Sequence, residues 1–308
     1  MTAAQNKKRI RMALRFALLL TIVFSMPHIA RSQNVRTWAP PDVDEEKLNL
    51  DSSPNCDLGT VLQSVSQRVQ ELVANVDRYT ATENMVHFEL SPTGQPKSRE
   101  TRRFNYVVEI RRTDSPKNEL DVHEYRTGWM PTDKIRGYPI RTEFPDNIET
   151  SGLAMLALIF HPDFQPRYDF ACEGRASWQN RPAWVVHFRQ RAGQPNSMLT
   201  YHVGNHSAAV ALKGRAWIDA DTSQILAIES DILEPIYDVQ LVRDHQFIEY
   251  APVHFKDKPL ELWLPQSADW YAQFNNHRYH RLHTFTHFLL FSVDDTEKIT
   301  PPATSNFL

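Results

Sequence analysis

Glycine is scarce in this chain, with 9 in 308 residues, and neither GxGxxG nor GxxxxGK[ST] occurs. Loops that cradle phosphate need glycine where backbone approaches the anion closely, so nucleotide chemistry is not expected. The nucleophile-elbow pattern GxSxG and the signatures HExxH and SxxK are also missing, which removes the familiar hydrolase templates. There are 2 cysteines, too few for a disulfide-rich scaffold or a zinc site on their own. No apolar stretch reaches the length of about 20 residues that a helix needs to cross a bilayer.

What remains is ordinary globular composition, 41% hydrophobic and 23% charged, enough for a sizeable core. The first 32 residues stand apart. Lys7, Lys8, Arg9, Arg11 and Arg15 precede an apolar run from Phe16 to Met26, and Ala30-Arg31-Ser32 places small residues where a signal peptidase reads them. This pattern predicts a signal peptide cut between Ser32 and Gln33; a retained anchor is the alternative. Without those residues the chain has 28 Lys and Arg against 37 Asp and Glu, a net charge of −9. That sign disfavours nucleic acid and anionic membrane surfaces. Export also makes a disulfide between Cys56 and Cys172 the natural pairing, with two buried thiols as the alternative.

Residues 33–55 are polar, acidic and proline-containing and read as a flexible tether. Asp57 then stands at an N-cap position, and Leu58, Val61, Leu62, Val65, Val69, Leu72, Val73 and Val76 follow at helical spacing. After this amphipathic helix the period changes to two. Tyr79–Leu90, Arg103–Arg112, Leu120–Arg126, Tyr168–Cys172 and Ala183–Gln190 read as strands. In Lys213–Leu233, Arg215, Trp217 and Asp219 alternate with Ala216 and Ile218, and a polar turn at 220–223 leads to Leu226, Ile228 and Ile232 alternating with Ala227, Glu229 and Asp231. This is the central hairpin of an antiparallel sheet. Further strands run to Val293, residues 191–212 read as a surface loop, and 294–308 as a polar tail.

Ser151–Phe160 is the most apolar segment beyond the leader. It is either core packing or a short helix that plugs the mouth of a curved sheet. Leu153, Leu156, Ile159 and Phe160 are its lid candidates, and Trp217 is the candidate aromatic in the cleft. His277, His280, His283 and His287 form the one cluster that suggests a metal. As a strand, only His283 and His287 share a face, about 13 to 14 Å apart, too far to ligate one ion. No metal or cofactor is expected. The paired carboxylates Asp219 with Asp221, and Glu229 with Asp231, read as solvated hairpin edges.

With these segments placed, the chain resembles bacterial envelope proteins of the lipoprotein-sorting, LolA/LolB-like half-barrel family. The resemblance rests on Cys56-Asp57-Leu58 opening the helix, on RYTATENMVHFEL, on GRAWIDADTSQILAIES, and on the closing strands LELWLPQSADWYAQF and HTFTHFLLFSVDD. It implies a mainly β, α+β domain over residues 56–293: a strongly curved antiparallel sheet, open as a half-barrel, with helices over the concave face. It further implies a periplasmic or secreted, non-enzymatic binding protein for a hydrophobic or amphipathic molecule such as a lipid or lipoprotein. The alternatives are an envelope protein-interaction module without a cleft and, further off, a metal-dependent hydrolase. Mass spectrometry of the exported protein should find Gln33 at its N-terminus; an intact residue 1 would contradict the cleavage.

Overall fold

The computed structural model describes residues 38–51, 56–113, 119–128, 144–145, 148–194, 198–203, 206–255 and 258–291. The cleavage position at Ser32 and Gln33 and the polar tail 294–308 lie outside them. Among the described residues no helix is long and apolar enough to cross a membrane.

The Asp57 carboxylate accepts from the Thr60 amide at 3.3 Å and the Thr60 hydroxyl at 2.7 Å, which satisfies donors that a first helical turn leaves open. From that cap runs α1, Leu58–Asn75, burying Val61, Val65, Ser66 and Val69 on one side. The strands are β1 Arg78–Leu90, β2 Pro96–Arg112, β3 Leu120–Gly128, β4 Tyr168–Trp178, β5 Arg181–Gln190, β6 Thr200–Val203, β7 His206–Ala209, β8 Leu212–Asp219, β9 Ile225–Ile232, β10 Leu241–His254, β11 Glu261–Phe274 and β12 His277–Phe291. Ten of them form one antiparallel sheet in the order β3-β2-β1-β12-β11-β10-β9-β8-β5-β4, while β6 and β7 pair separately. The sheet is curved and open, with α1 and a one-turn 3-10 helix at Leu156–Phe160 over its concave face, the architecture expected from the sequence.

Cys56 and Cys172 are bonded, with 6.2 Å between their Cα atoms. The bond fixes the start of α1 to edge strand β4, while the end of α1 feeds β1, seven strand steps away in the sheet order. Seven spacings make an arc of roughly 34 Å, whereas the 18 residues of α1 span about 27 Å. The helix is a chord shorter than its arc, so the sheet bends around it.

Alternation along the strands puts one apolar set inside. Tyr79, Tyr106, Val108, Phe188, Ala216, Ile228, Ile248, Leu264, Ala268 and Phe285 pack with α1 and with Leu153–Phe160 in a single core. Gly214 belongs to this packing: a Cβ there would stand 2.1 Å from the Glu229 carbonyl and 2.4 Å from the Phe188 ring.

Residues 38–51, part of the stretch read as a flexible tether, lie instead along the outer face of the central hairpin. Val43 is fully buried, and its amide donates to Asp231 at 2.9 Å. Lys213 donates to Asp42 at 2.6 Å and Asp44 at 2.8 Å. Asp51 bridges to Arg175 on β4. Burial alone would raise the Asp44 pKa, but its bonds with Lys213 and His187 and the neighbouring Arg189 hold it low. An acidic stretch looks disordered by composition; here Lys213, Arg215 and Arg189 on β8 and β5 supply the opposite charges. Both faces of β8 and β9 are therefore covered, and every residue in them is buried.

Two further local readings change. Residues 191–212 are not a plain surface loop: they contain β6 and β7 and bury Met198, Leu199, Val210 and Leu212. On β12, His287 takes a left-handed conformation, φ 54°, beside an irregularity in the pairing with β1. The flip turns Phe288 and Leu290 toward the core and leaves Leu289 59% exposed, opposite to a strict alternation.

Replacing Cys56 and Cys172 with serine should lower unfolding free energy by roughly 4 to 5 kcal/mol if chain entropy dominates, read as a lower denaturant midpoint. Lys213→Met should cost about 1–3 kcal/mol and make the segment before residue 51 cleavable in limited proteolysis.

Candidate functional site

The lid candidates do meet. Leu153, Ile159 and Phe160 are fully buried and Leu156 is 2% exposed. Phe160 contacts the rings of Phe170 and Phe188, 5.6 and 6.4 Å between centroids. The segment has little regular structure: Gly152 has a positive φ of 85°, and one 3-10 turn covers Leu156–Phe160. Side chains anchor it: Ala154 N–H donates to Glu124 at 3.3 Å, Gln165 donates to the Phe160 carbonyl at 2.9 Å and Gln246 to the Ser151 carbonyl at 3.2 Å. It fills the hollow rather than roofing an open one. Beside Ala157, between Val69, Leu72, Tyr250 and Trp263, about 50 Å³ is open, little more than room for a few waters.

Next to this apolar half, the inner face carries buried charge that sequence reasoning did not single out. Arg126 on β3 donates to both oxygens of Glu83 on β1, at 2.8 and 3.2 Å, and to the Thr150 carbonyl at 2.7 Å. Arg281 on β12 donates to His87 at 3.0 Å, to the Ile148 carbonyl at 2.6 Å, to the Thr150 hydroxyl at 2.8 Å and to the Pro145 carbonyl at 3.0 Å. His283 Nδ1 lies 2.7 Å from Glu83. These groups are far apart in sequence, up to 200 positions; the β1–β12 pairing joins Glu83 and His87 to His283 and Arg281, and β2 and β3 bring in Arg126. Burial would raise the Glu83 pKa, yet Arg126 and His283 bring it down to about 2. Burial lifts Glu124 above its ordinary range and holds His283 below its own.

Trp217 is not with the lid residues. It points to the opposite, outer face, in a second cluster with Ala183, Val185, Leu226 and Ala227. The inner face at this position belongs to Ala216 and Ile218. A bulge between Trp217 and Ile218 in the β8–β9 pairing also sends Leu226 outward, which strict alternation misplaces. In front of Trp217, between residues 40–49 and the end of β4, lies a groove of about 440 Å³ that includes Trp178, Phe247, Tyr271, Glu229 and Asp269. Of the hairpin carboxylates read as solvated, Asp221 is exposed, whereas Asp219, Glu229 and Asp231 are buried. Asp219 accepts from the Asp221 and Thr222 amides at 3.0 and 2.7 Å, closing the turn. Asp231 accepts from Val43, and its carboxylate is 3.2 Å from His245. Glu229, in the groove and 3.5 Å from His245, is pushed up to about 7 by burial, which outweighs His245, with Glu46 and Asp231 adding to the rise.

The histidine pair does not converge. His283 is buried against Glu83, whereas His287 sits exposed on the bulge. Among the described residues no group of three histidine, cysteine or carboxylate side chains is placed to hold a metal ion.

No family model matches this chain, and no curated protein sequence does. Among solved structures it is similar to a DUF1329 family protein from Desulfovibrio piger, with 10% identity, 77% of this chain and 94% of that one covered, and a TM-score of 0.38. A LolA superfamily protein from Nitrosomonas europaea gives 12% identity, 75% and 94% coverage, and a TM-score of 0.37. A putative outer membrane lipoprotein-sorting protein domain from Vibrio parahaemolyticus gives 8%, 76% and 96%, and 0.36. Likeness at this level says nothing about ligand or partner, which rest on the site itself.

Removing one partner from a buried ion pair strands the other. Glu83→Gln should cost about 3–5 kcal/mol at pH 7. Because the folded-state pKa of Glu83 is depressed, its contribution is complete above the unfolded value of 4.5 and is lost as pH falls toward about 2. Denaturant titrations of the two proteins should therefore converge across that window; a gap that persists at pH 2 contradicts the assignment.

Proposed function

We propose that this is an exported, non-enzymatic binding protein that takes an amphipathic molecule, an apolar chain with an anionic head, into the concave face of its half-barrel. The lid is the segment from Ile148 to Phe160. It admits the ligand by leaving the position it holds here.

The observation that carries this reading is that one segment occupies both halves of the inner face. Its carbonyl oxygens at Ile148 and Thr150, with that of Pro145, accept from Arg281 and Arg126. Its side chains from Leu153 to Phe160 fill the apolar half between α1 and the sheet. Carbonyls and alkyl groups in this order imitate a polar head followed by a greasy chain. A ligand carboxylate or phosphate would make charge-assisted bonds to the same guanidinium groups, stronger than the neutral carbonyls make. An acyl chain would replace the side chains of Leu156, Ile159 and Phe160 without exposing the remaining core. The leader-like N-terminus supports a periplasmic or secreted setting, and a lipid or lipoprotein cargo falls within the ligand class. The site calls for no cofactor.

Titrating delipidated mature protein with a fluorescent fatty acid should show saturable uptake, with hydrogen exchange at amides 152–164 rising on binding. Arg281→Met should weaken uptake about tenfold, the loss of one bond to a charged group. Absence of saturable uptake, or uptake with no change in exchange across 152–164, contradicts the proposal and favours the envelope protein-interaction reading.

A further inference from the structure

The outer groove offers a second, independent site on the face opposite the lid. Its floor is aromatic. Trp178 and Trp217 lie 5.3 Å apart between ring centroids, Phe247 is 5.6 Å from Trp178 and 6.0 Å from Trp217, and Tyr271 lines the groove with them. Glu229 and Asp269 line it along with Glu46 from the covering segment, against the single imidazole of His245. The volume of about 440 Å³ lies within the range of small-molecule sites, roughly 300–1,000 Å³.

The tryptophans separate into two groups. Trp38, Trp184, Trp263 and Trp270 each carry an arginine guanidinium over the ring, at 4.7 to 5.7 Å from the centroid. Among the described residues no such cation stands over Trp178 or Trp217, the two that line the groove. The arginines beside this face have partners of their own: Arg215 donates to Glu173 and to the Glu46 carbonyl and lies 3.9 Å from the Glu46 carboxylate, and Arg243 donates to the Pro40 carbonyl. The protein thus covers four of its described indole rings with its own cations, while Trp178 and the 6% exposed Trp217, packed on each other and on Phe247, line a groove edged by carboxylates.

We propose that this groove binds an organic cation of the alkylated-ammonium class, its charge over the faces of Trp178 and Trp217 and within reach of Glu229, Glu46 and Asp269. Aromatic rings attract such cations through the negative face of the quadrupole, and alkylation lowers the cost of removing the ammonium from water. A neutral molecule of the same shape keeps the apolar contact and loses both electrostatic contributions. The chemistry is common to a free choline-type cation and to a choline lipid headgroup.

Tryptophan fluorescence of the mature protein titrated with choline or tetramethylammonium should change saturably. The neutral isostere 3,3-dimethylbutan-1-ol should bind at least about tenfold more weakly. Phosphatidylcholine vesicles in a sedimentation assay identify the source: retention on them assigns the lipid headgroup, and saturation by the free cation without retention assigns the soluble one. Trp178→Leu should weaken cation binding about tenfold, and Asp269→Asn, at a half-exposed carboxylate, should weaken it severalfold with the thermal midpoint unchanged. Equal affinity for the neutral isostere overturns the proposal. So does the lack of any saturable response to both cations and vesicles, or full affinity in both variants. Fatty-acid uptake at the inner face is unaffected by these substitutions, so the two sites fail or stand separately.

Discussion

A broad antiparallel sheet presents two faces, and in its middle neither can be left to water. That constraint governs the rest of this structure. Residues of β8 and β9 are buried without exception, although half of them point away from the helix. The inner face is closed by α1 and the Leu153–Phe160 segment. The outer face is closed by residues 38–51, held by Lys213, Asp231 and an anti-parallel bridge at Asp51. Remove either cover and the alternation that builds the sheet would expose a contiguous apolar surface of the kind that drives association.

Closing a curved sheet with one helix leaves a mismatch of volume. A helix touches the sheet along a line, while the bend of the sheet opens space to each side. On one side the space is taken by the apolar plug, on the other by Glu83, Arg126, Arg281, His87 and His283. Charge can be kept there because every guanidinium is met by a carboxylate, an imidazole or a backbone carbonyl, which offsets the cost of drying it. The plug and the charged half meet at Thr150, whose carbonyl and hydroxyl serve different arginines. The plug and the carbonyls that meet the arginines belong to one continuous segment, so displacement of either end loosens the other.

Much of this was legible in the sequence and some was not, for reasons that individual residues make clear. The cap at Asp57, the stripe from Leu58 to Val73 and the strand at Arg103–Arg112 were readable because backbone hydrogen bonding and side-chain period act within a few residues. Leu153, Leu156, Ile159 and Phe160 were legible as a set because they are consecutive turns of one apolar segment. Trp217 was assigned to the same cavity without any local reason to choose between faces; its parity along β8 says only that it opposes Ala216. His287 and Leu226 were assigned to the wrong face because each sits at a bulge, where one residue of irregular pairing reverses which side the neighbouring residues face. Residues 38–51 looked disordered because their partners, Lys213 and Arg189, lie about 170 and 145 positions away.

The sequence by itself determined the helix, the period-two strands and a hairpin at 213–233, since each depends on neighbours within reach of one turn or one loop. Tertiary structure alone decided that Arg126 and Arg281 would share a wall with Glu83, that the acidic segment 38–51 would cover the far face, and that two indoles would line a groove. Those outcomes follow from strand order and register. A ladder between β1 and β12 joins residues 200 apart only after the chain has closed on itself, and no local pattern carries that information.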